Sequence, residues 1–586
     1  MVEGYVQIAI FFAVVLAVVK PLGTYMAKVF RNERVFLSPV FGPIERGAYK
    51  VLRVRPEEEG QDWKQYARSL VVFSLLFWIL LYLILRTQGL DPWNPRGFHS
   101  APWDVTFNTV SSFVTNTNWQ YYGGEVTLSY FGQMAGLAVQ NFVSAAVGIA
   151  VLVALIRGLA ARSGRSLGNF WQDVVRILLY VLLPIAVIGA LVLASQGVIQ
   201  NLSGYSVIHT LAGGTQVLGQ GPVASQEAIK LLGTNGGGFF NTNSAFPFEN
   251  PSGFTNFVEM FLILCIPASL TYAYGRMIGS QRQGWAIFAA MAVLLIAGTV
   301  VAYVAEQHGT PAQHLAGLHT QAIEGSTGGN LEGKEQRFGI ASSALFTAVT
   351  TATSTGAVNN AFESLTGIGG TVPFANLGFG EVIFGGVGSG LYSMLLYAIL
   401  AVFIGGLMVG RTPEYLGKKI GAREIKLVAL GVLVTPLTVL ISAGLAAATP
   451  AGTRSLAAGF NPQGFSETLY AYLSQANNNG SAWAGYTGFV QPHGPGNVGA
   501  YGISFADLLG GLVLIGARFL PIVFVLAVAG AMAGKKVSPA GLGTMRTDNP
   551  TFVFLLLGIV VLVGALTFFP AILLGPVTQG LSTRLF

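Results

Sequence analysis

Charged residues, cysteines and catalytic motifs are all scarce in this chain of 586 residues. Asp, Glu, Lys and Arg together make up 10% of the sequence, against about 25% in a typical soluble protein. Hydrophobic residues make up 52%, so the composition indicates an integral membrane protein. The single cysteine, Cys265, excludes an intrachain disulfide and any cysteine cluster around a metal.

Features typical of nucleic-acid binding, metal binding and ATP hydrolysis are also missing. The net charge is +7, but no basic run is interleaved with aromatic residues, which excludes nucleic acid as a partner. The spacing of His308, His314 and His319 fits no zinc motif. The stretch GGNLEGKE at 328–335 imitates a phosphate-binding loop, but Glu335 replaces the Ser or Thr and no strand precedes it. No D-K-T-G phosphorylation motif occurs, so we expect this chain to bind no nucleotide.

Ten stretches are long and apolar enough to cross the hydrocarbon core of a bilayer, which takes about 20 residues. They lie near residues 5–27, 68–87, 127–156, 172–195, 255–275, 284–305, 383–409, 424–447, 505–533 and 552–576. The residues before the first stretch include Glu3 and no basic residue, and no small-residue cleavage site follows it. We therefore interpret it as a retained helix and not as a signal peptide.

Basic residues concentrate in alternate connections between these stretches. The connection around 28–68 holds nine Lys and Arg residues, and that around 411–426 holds five. In contrast, residues 196–254 contain only Lys230 and residues 448–504 only Arg454. Because loops rich in Lys and Arg stay in the cytoplasm, this asymmetry predicts that both termini are extracytoplasmic.

Each of the four outer connections ends in a cluster of small polar residues. The clusters are VTNTNWQ (114–120), LGTNGGGFFNTN (232–243), TATSTGAVNN (351–360) and QANNNGSAWAG (475–485). Each follows a short stretch of helical character, near 104–114, 225–233, 342–352 and 466–475. When Asn116, Gly236, Gly356 and Gly480 are aligned, the successive spacings are 120, 120 and 124 residues. This period predicts four copies of one unit, in which a span, a short helix, a polar loop and a second span follow one another. The four copies are formed by spans 2–3, 4–5, 6–7 and 8–9.

Polar loops of this kind can bind an ion within a membrane. Non-helical backbone at membrane depth is tolerated where protein buries it or water lines it. Four such loops around one axis offer a ring of carbonyls that can replace the hydration shell of a monovalent cation. Short helices that enter from outside would also point their negative C-terminal ends at the ring. Ordinary polar surface loops have a similar composition, but four copies in register favour the ion site.

Several long stretches resemble the KdpA family, the potassium-binding subunits of the bacterial Kdp potassium-transporting ATPase. They are SFVTNTNWQYYGGE, GTNGGGFFNTNSAFPFENP, TSTGAVNNAFESLTGIGG, GEVIFGGVGSGLYSMLLYAILAVFIGGLMVGRTPEYLGKKI and ALTFFPAILLGP. The resemblance covers essentially the whole chain. It implies an all-α membrane fold related to potassium channels and Trk-type transporters, with ten transmembrane helices and four span–pore-helix–span repeats around a pseudo-fourfold selectivity filter.

The resemblance also implies an organisation and a setting. The expected segments are 1–67 (first transmembrane helix and cytoplasmic loop), 68–157, 158–282, 283–410 and 411–536 (the four repeats) and 537–586 (tenth helix). The implied partners are the P-type ATPase subunit KdpB, the single-span subunit KdpC, the small subunit KdpF and the lipid bilayer. The implied location is the bacterial inner membrane. In such complexes this subunit selects external potassium and passes it to KdpB through an intramembrane tunnel.

The family's filter can be carried over residue by residue. The matching central positions are Asn116, Gly236, Gly356 and Gly480, flanked by Thr115, Thr117, Thr234, Asn235, Ser354, Thr355, Asn478 and Asn479. Gln120 falls where the family's potassium affinity is sensitive. The T-V-G-Y-G run of ion channels is missing, which suggests fewer stacked sites. Because the first cluster has Asn116 where the others have glycine, we expect it to be the asymmetric member.

Two charges fall inside or beside predicted spans. Arg518 lies in LLGGLVLIGARFLPIVFV, and Glu381 lies in the glycine-rich stretch NLGFGEVIFGGVGSG, which should break the helix. The resemblance implies a gate below the filter, where Glu381 attracts the ion and Arg518 opposes free passage. A purely structural ion pair between the two repeats is the alternative, and both roles can coexist.

Two other transporter classes remain as alternatives. A Trk-type channel or symporter subunit shares the fourfold repeat but has eight core spans, which leaves the first and tenth spans unexplained. In a secondary transporter with inverted repeats, the orientation of the units should reverse between the halves. Here all four predicted units enter from the same side, which argues against that class.

Overall fold

The computed structural model describes residues 2–55, 60–162, 164–318, 320–322, 328–457, 459–487, 504–539, 541 and 544–582. Within these residues, ten helical segments are long and apolar enough to cross a membrane. These first to tenth spans are Val2–Phe30, Trp63–Arg86, Gly132–Ala160, Phe170–Ser195, Gly253–Ile278, Gln281–Leu315, Ser389–Met408, Ala422–Ala448, Phe505–Ala533 and Pro550–Leu581. The ten predicted spans are confirmed, although the seventh begins at Ser389 and not near residue 383.

A short helix lies between the two spans of each predicted unit. The first to fourth short helices are Trp103–Val114, Val223–Leu232, Gly339–Ala352 and Pro462–Ala476. With 10 to 15 residues each, they are too short to cross the hydrocarbon core. The predicted all-α fold, built from four span–short helix–span units, is confirmed.

The two spans of each unit differ in burial. In the second spans of the units, which are the third, fifth, seventh and ninth spans, 89, 83, 67 and 56% of the apolar window is buried. In the first spans of the units the corresponding values are 28, 39, 39 and 28%. One helix of each unit therefore lies towards the common core, and the other presents apolar side chains such as Leu76 and Leu437 at the surface. This arrangement is repeated four times around the short helices.

The first and tenth spans lie outside the four units. The first packs along the fifth span, and the tenth packs against the sixth and seventh spans. Each is about one-third buried or less, at 28 and 33% of its apolar window. Both therefore add an outer layer without entering the centre.

The glycine-rich stretch before the seventh span breaks the helix, as the sequence predicts. A helix at Gly367–Gly378 ends there, and the chain is non-helical until Ser389. Gly380, Gly385 and Gly388 have φ angles of 82°, 56° and 85°, which favour glycine because it has no Cβ. The helix at Gly367–Gly378 was not predicted, because 12 residues give too little apolar length to stand out.

The remaining elements connect or extend these helices. They are the helices Ser38–Leu52, Gly124–Thr127 and Pro450–Thr453, the 3₁₀ turns Gln88–Leu90, Asn243–Ala245 and Phe362–Ser364, and the antiparallel pairs Ser206–His209 with Thr215–Leu218 and Glu414–Tyr415 with Lys418–Lys419. Three spans contain π-helical stretches, at Gly132–Ala138, Ile177–Leu182 and Leu573–Val577. Val217 lies opposite Val207 in the first pair, which is exposed on both strands.

Candidate ion-binding site

Each short helix ends in the same turn. After the first, the amides of Thr115, Asn116 and Thr117 donate to carbonyls four, three and five residues earlier, at 3.2, 3.2 and 3.0 Å. The same three bonds recur at residues 233–235, 353–355 and 477–479. A bond across five residues closes a helix end when the residue before the donor is left-handed. We call residues 115–118, 233–236, 353–356 and 477–480 the first to fourth loop segments.

The left-handed position of this turn is occupied by a residue other than glycine in all four segments. The φ angles of Asn116, Thr234, Ser354 and Asn478 are 75°, 51°, 47° and 52°. Glycine is the usual residue here, and a branched side chain such as that of Thr is strained. Backbone strain of this kind is typical of positions where the side chain makes a contact that the structure or function requires.

Three of these four side chains make specific contacts. The Asn116 amide donates to the carbonyls of Gly233 and Thr234, both at 3.2 Å. The Thr234 hydroxyl accepts a hydrogen bond from the Val387 amide at 2.8 Å. Asn478 donates to the carboxylate of Glu381. The left-handed residues therefore tie the loop segments to one another and to the non-helical stretch that contains Glu381.

The shared turn corrects the sequence alignment of the first segment. Counted from the helix end, Asn116 corresponds to Thr234, Ser354 and Asn478, and Asn118 corresponds to Gly236, Gly356 and Gly480. The predicted alignment was displaced by two residues because both positions are Asn, each next to Thr. The correct alignment of the four segments is obtained by counting from the C-terminal end of each apolar short helix. The spacing of Asn118 to Gly236 is accordingly 118 residues and not 120.

The four loop segments meet one another closely. A Cβ atom on Gly356 would lie 1.8 Å from the Asn479 carbonyl oxygen, and one on Gly480 would lie 2.1 Å from that of Thr117. A Cβ on Gly236 would lie 2.9 Å from the Thr117 oxygen. The Thr117 hydroxyl also donates to the Asn478 side chain at 3.3 Å. Glycine at these positions lets backbone carbonyls from different units approach one another.

The other predicted residues lie in or beside the same segments. The hydroxyls of Thr115 and Thr117 are 3.2 Å apart, and those of Thr353 and Thr355 are 2.7 Å apart. Gln120 accepts a hydrogen bond from the Gly238 amide at 3.3 Å, which links the chain after the first and second segments. The structure thus brings together all the residues predicted for the filter, which are Thr115, Asn116, Thr117, Gln120, Thr234, Asn235, Gly236, Ser354, Thr355, Gly356, Asn478, Asn479 and Gly480.

The electrostatic character of this centre comes from backbone. The sixteen residues of the four loop segments are Thr, Asn, Ser and Gly, none of which is ionisable. All four short helices end at these segments, and a helix C-terminus carries a partial negative charge. Four converging C-termini favour a cation over an anion, without an acid that would bind a divalent ion tightly.

Glu381 and Arg518 lie together beside the fourth loop segment. Arg518 Nη1 is 3.8 Å from Glu381 Oε2, with side-chain exposures of 4 and 8%. Among the described residues, Arg518 Nη1 has no hydrogen-bond partner. Elsewhere, Arg157 holds Asp173 with two bonds of 2.6 and 2.8 Å. The Glu381–Arg518 pair is therefore much looser than a structural ion pair in the same chain.

A cavity begins at Glu381. Its lining includes Glu381, Asn477 and Asn478, together with Pro436, Pro521 and Phe568 of the eighth, ninth and tenth spans. About 50 Å³ of it is open to the centres of water molecules, several times the roughly 10–15 Å³ that one water needs. The cavity therefore lies between the first residues of the fourth segment and these three spans.

The remaining motifs of the sequence lie away from this centre. Lys334, the lysine of the imitation phosphate loop, is buried with its Nζ 2.7 Å from Glu306. His314 Nε2 lies 2.8 Å from the backbone oxygen of His308, and His319 and His493 fall outside the described residues. Across the described parts of the chain, no three His, Cys, Asp or Glu residues are grouped to hold a metal.

Glu467 on the fourth short helix gives a pH-dependent prediction. Burial raises its pKa from 4.5 to about 7, and the Glu363 carboxylate adds to this shift. Because the folded chain holds this proton more tightly, the free energy of unfolding should fall between about pH 4.5 and 7 and then level off. In Glu467→Gln that fall should be smaller. The melting temperature of the variant relative to that of the wild-type protein should therefore be higher at pH 8 than at pH 5. Parallel melting-temperature profiles for the two proteins would contradict the assignment.

Comparison with known proteins identifies relatives along the entire chain. The profile of a family described as KdpA, potassium-transporting ATPase A subunit, matches residues 9–581. The potassium-transporting ATPase potassium-binding subunit of Mesorhizobium japonicum is 51% identical over 580 residues, which cover 99% of this chain and 98% of that protein. The subunit of the same name from Methylobacterium nodulans is 53% identical over 580 residues, with the same coverage.

A solved structure also matches. The potassium transporter TrkH from Vibrio parahaemolyticus aligns with a TM-score of 0.49 and 17% identity, over 88% of this chain and 96% of that chain.

Proposed function

Because the chain belongs to the KdpA family of potassium-transporting ATPase A subunits, we propose that it binds external potassium and translocates it for an ATP-driven, high-affinity uptake complex. The observation that carries this proposal is the meeting of four equivalent loop segments at an uncharged centre. A potassium ion loses its hydration shell where backbone carbonyls replace the water oxygens. Four segments from four units supply such carbonyls.

In this proposal the segments form two levels of carbonyl ligands. The inner level comprises Asn116, Thr234, Ser354 and Asn478, and the outer level comprises Asn118, Gly236, Gly356 and Gly480. Thr115, Thr117, Asn235, Thr355 and Asn479 hold these levels in place through their side chains, and Gln120 joins two units above them. Two levels are suited to capture of one ion more than to fast conduction of several.

Glu381 and Arg518 would control how the ion leaves this site. The Glu381 carboxylate is bonded to Asn478, so it lies next to the inner level and can attract a cation from there. The loosely paired Arg518 places a positive charge behind it and opposes free passage. The cavity that starts at Glu381 would then be the entrance of an intramembrane tunnel towards a partner.

ATP hydrolysis is assigned to a partner subunit. By the family resemblance, the partners are KdpB as the P-type ATPase, with KdpC and KdpF as accessory subunits in the bacterial inner membrane. In this arrangement both termini lie outside the cytoplasm, in accordance with the distribution of Lys and Arg. The ion is the transported substrate, and this chain needs no nucleotide of its own.

The coupling can be tested with the purified complex and with this chain alone. Potassium should stimulate ATP hydrolysis by the complex, and this stimulation should disappear when this chain is omitted. The chain alone in liposomes should carry no sustained potassium current. A sustained, ATP-independent current through the chain alone would favour the Trk-type channel or symporter instead.

A further inference from the structure

In three units a hydroxyl on the short helix accepts a hydrogen bond from a backbone amide at the end of the loop segment or just after it. The Gly356 amide donates to Thr350 Oγ1 at 3.1 Å, and the Gly480 amide donates to Ser474 Oγ at 3.0 Å. In the first unit, Ser112 Oγ accepts from the Trp119 amide. Each of these hydroxyls lies three residues before its loop segment. In the second unit the same position is Lys230.

Lys230 cannot play the same part, because an ammonium group donates hydrogen bonds and accepts none. Its Nζ atom lies 2.5 Å from Glu227 and 3.4 Å from Glu249, and all three side chains are fully buried. It also donates to Asn243 Oδ1 at 2.8 Å. Asn243 in turn donates from Nδ2 to the carbonyl oxygen of Gly236 at 2.5 Å. A buried charge is thus connected through one amide to a carbonyl of the outer level.

The backbone of the second segment differs at the same residue. Asn118, Gly356 and Gly480 have φ angles of 57°, 89° and 99°, whereas Gly236 is not among the residues with positive φ. A different φ turns the peptide that carries the Gly236 carbonyl. Asn243 itself has a φ of 57°, a left-handed angle that Asn tolerates better than most residues other than glycine, and its amide reaches that carbonyl. Two independent observations therefore place the asymmetry at Gly236.

We propose that Lys230 is a positioning residue for ion selection, which orients Asn243 and through it holds the Gly236 carbonyl away from the carbonyls of the other three outer-level residues. This inference rests on the proposed potassium site. The ion then meets three free carbonyls and one restrained carbonyl at the outer level. Loss of the restraint frees the Gly236 peptide, so the site becomes less rigid and discriminates less well between potassium and the larger rubidium ion.

Asn243→Ala removes the restraint on Gly236, together with one hydrogen bond of Lys230, but keeps Lys230 and the two carboxylates beside it. We expect potassium affinity to fall about tenfold, the effect of one lost hydrogen bond to a tightly held group. The ratio of rubidium to potassium affinity should move towards one. Both affinities are measured as ion-stimulated ATP hydrolysis by the intact complex. An unchanged ratio in a folded Asn243→Ala complex would overturn the proposal.

Lys230→Met tests the lysine itself, and Lys334→Met is its matched control. Lys334 is as deeply buried and pairs with Glu306 at 2.7 Å, but its hydrogen bonds lead to Glu306 and the Glu332 carbonyl, away from the loop segments. Lys230→Met leaves the buried Glu227 and Glu249 without their cation, and Lys334→Met does the same to Glu306, so both variants should lose thermal stability. Only Lys230→Met should alter the rubidium to potassium ratio.

The double variant separates the proposed route from a general loss of structure. If Lys230 acts through Asn243, Lys230→Met combined with Asn243→Ala should shift the ratio no further than Asn243→Ala does alone. Additive shifts, or equal ratios in Lys230→Met and Lys334→Met, would overturn the proposal. If Lys230→Met does not fold, Asn243→Ala decides. A wild-type complex that shows no response to potassium would instead overturn the proposed function.

Discussion

Replacement of Gly356 by alanine is expected to abolish high-affinity potassium uptake. The new Cβ atom would lie 1.8 Å from the Asn479 carbonyl oxygen and 2.6 Å from its carbon, so the third and fourth loop segments must move apart. The φ of 89° adds backbone strain for any residue with a Cβ. A strain of about 3 kcal/mol alone corresponds to roughly a hundredfold in affinity. Potassium-stimulated ATP hydrolysis over a wide range of potassium concentrations measures this change.

Gly410→Ala is the matched control for this variant. Gly410 has a φ of 68° but open space where its Cβ would lie, at the end of the seventh span. It therefore imposes a similar backbone strain without displacing a carbonyl of the loop segments. The control should keep wild-type potassium affinity. A Gly356→Ala complex that assembles and keeps wild-type affinity as well would exclude the third segment from the site.

Arg518→Gln is expected to uncouple potassium passage from ATP hydrolysis. The substitution removes the positive charge behind Glu381 and keeps a polar side chain of similar length. Glu381 then attracts the ion without an opposing charge, so potassium should leak through the complex in the absence of ATP. Passive potassium flux in proteoliposomes should rise about tenfold or more, as expected when an electrostatic barrier of at least 1.4 kcal/mol is lost.

Arg157→Gln distinguishes this gate from a structural ion pair. Arg157 holds Asp173 with two short bonds and lies away from the loop segments, so its loss should reduce thermal stability without a leak. If Arg518→Gln behaves like Arg157→Gln, with less assembled complex and unchanged passive flux, the gate does not exist. The pair would then only join two repeats.

Hydropathy and repetition made most of the fold predictable. The spans stand out because about 20 apolar residues are needed to cross a bilayer, and ten of them were located. The short helices were recognisable because each precedes a polar cluster at a nearly constant period. The helices Ser38–Leu52 and Gly367–Gly378 were missed, since 15 and 12 residues carry no comparable length signal.

The residues of the candidate site could be predicted from the sequence. The alignment of the first loop segment with the other three, and the identity of the segment that differs from the rest, could not. The repeated Asn and Thr in the first segment allow two alignments, and the hydrogen-bonded turn after the short helix selects Asn118 as the partner of Gly236. The expectation that the first segment is the asymmetric one is wrong for the backbone. Asn118 adopts a positive φ as Gly356 and Gly480 do, and Gly236 does not.

This error has a physical origin. A glycine in the sequence shows that a left-handed angle is allowed, but not that it is adopted. Asn also tolerates that angle, so the residue type at position 118 did not distinguish the first segment. The residue that differs, Gly236, is also the one whose carbonyl accepts a hydrogen bond from Asn243, which is in turn bonded to Lys230. Contacts of this kind depend on tertiary packing and leave no periodic pattern in the sequence.

The location of a bound ion tests the central claim most directly. Thallium(I) resembles potassium in size and charge and scatters anomalously, so a structure of the intact complex in thallium shows where the ion binds. We expect the strongest anomalous peak among the carbonyls of residues 115–118, 233–236, 353–356 and 477–480. Its absence there, with a principal peak elsewhere in the chain, would contradict the assignment of the four loop segments as the potassium site.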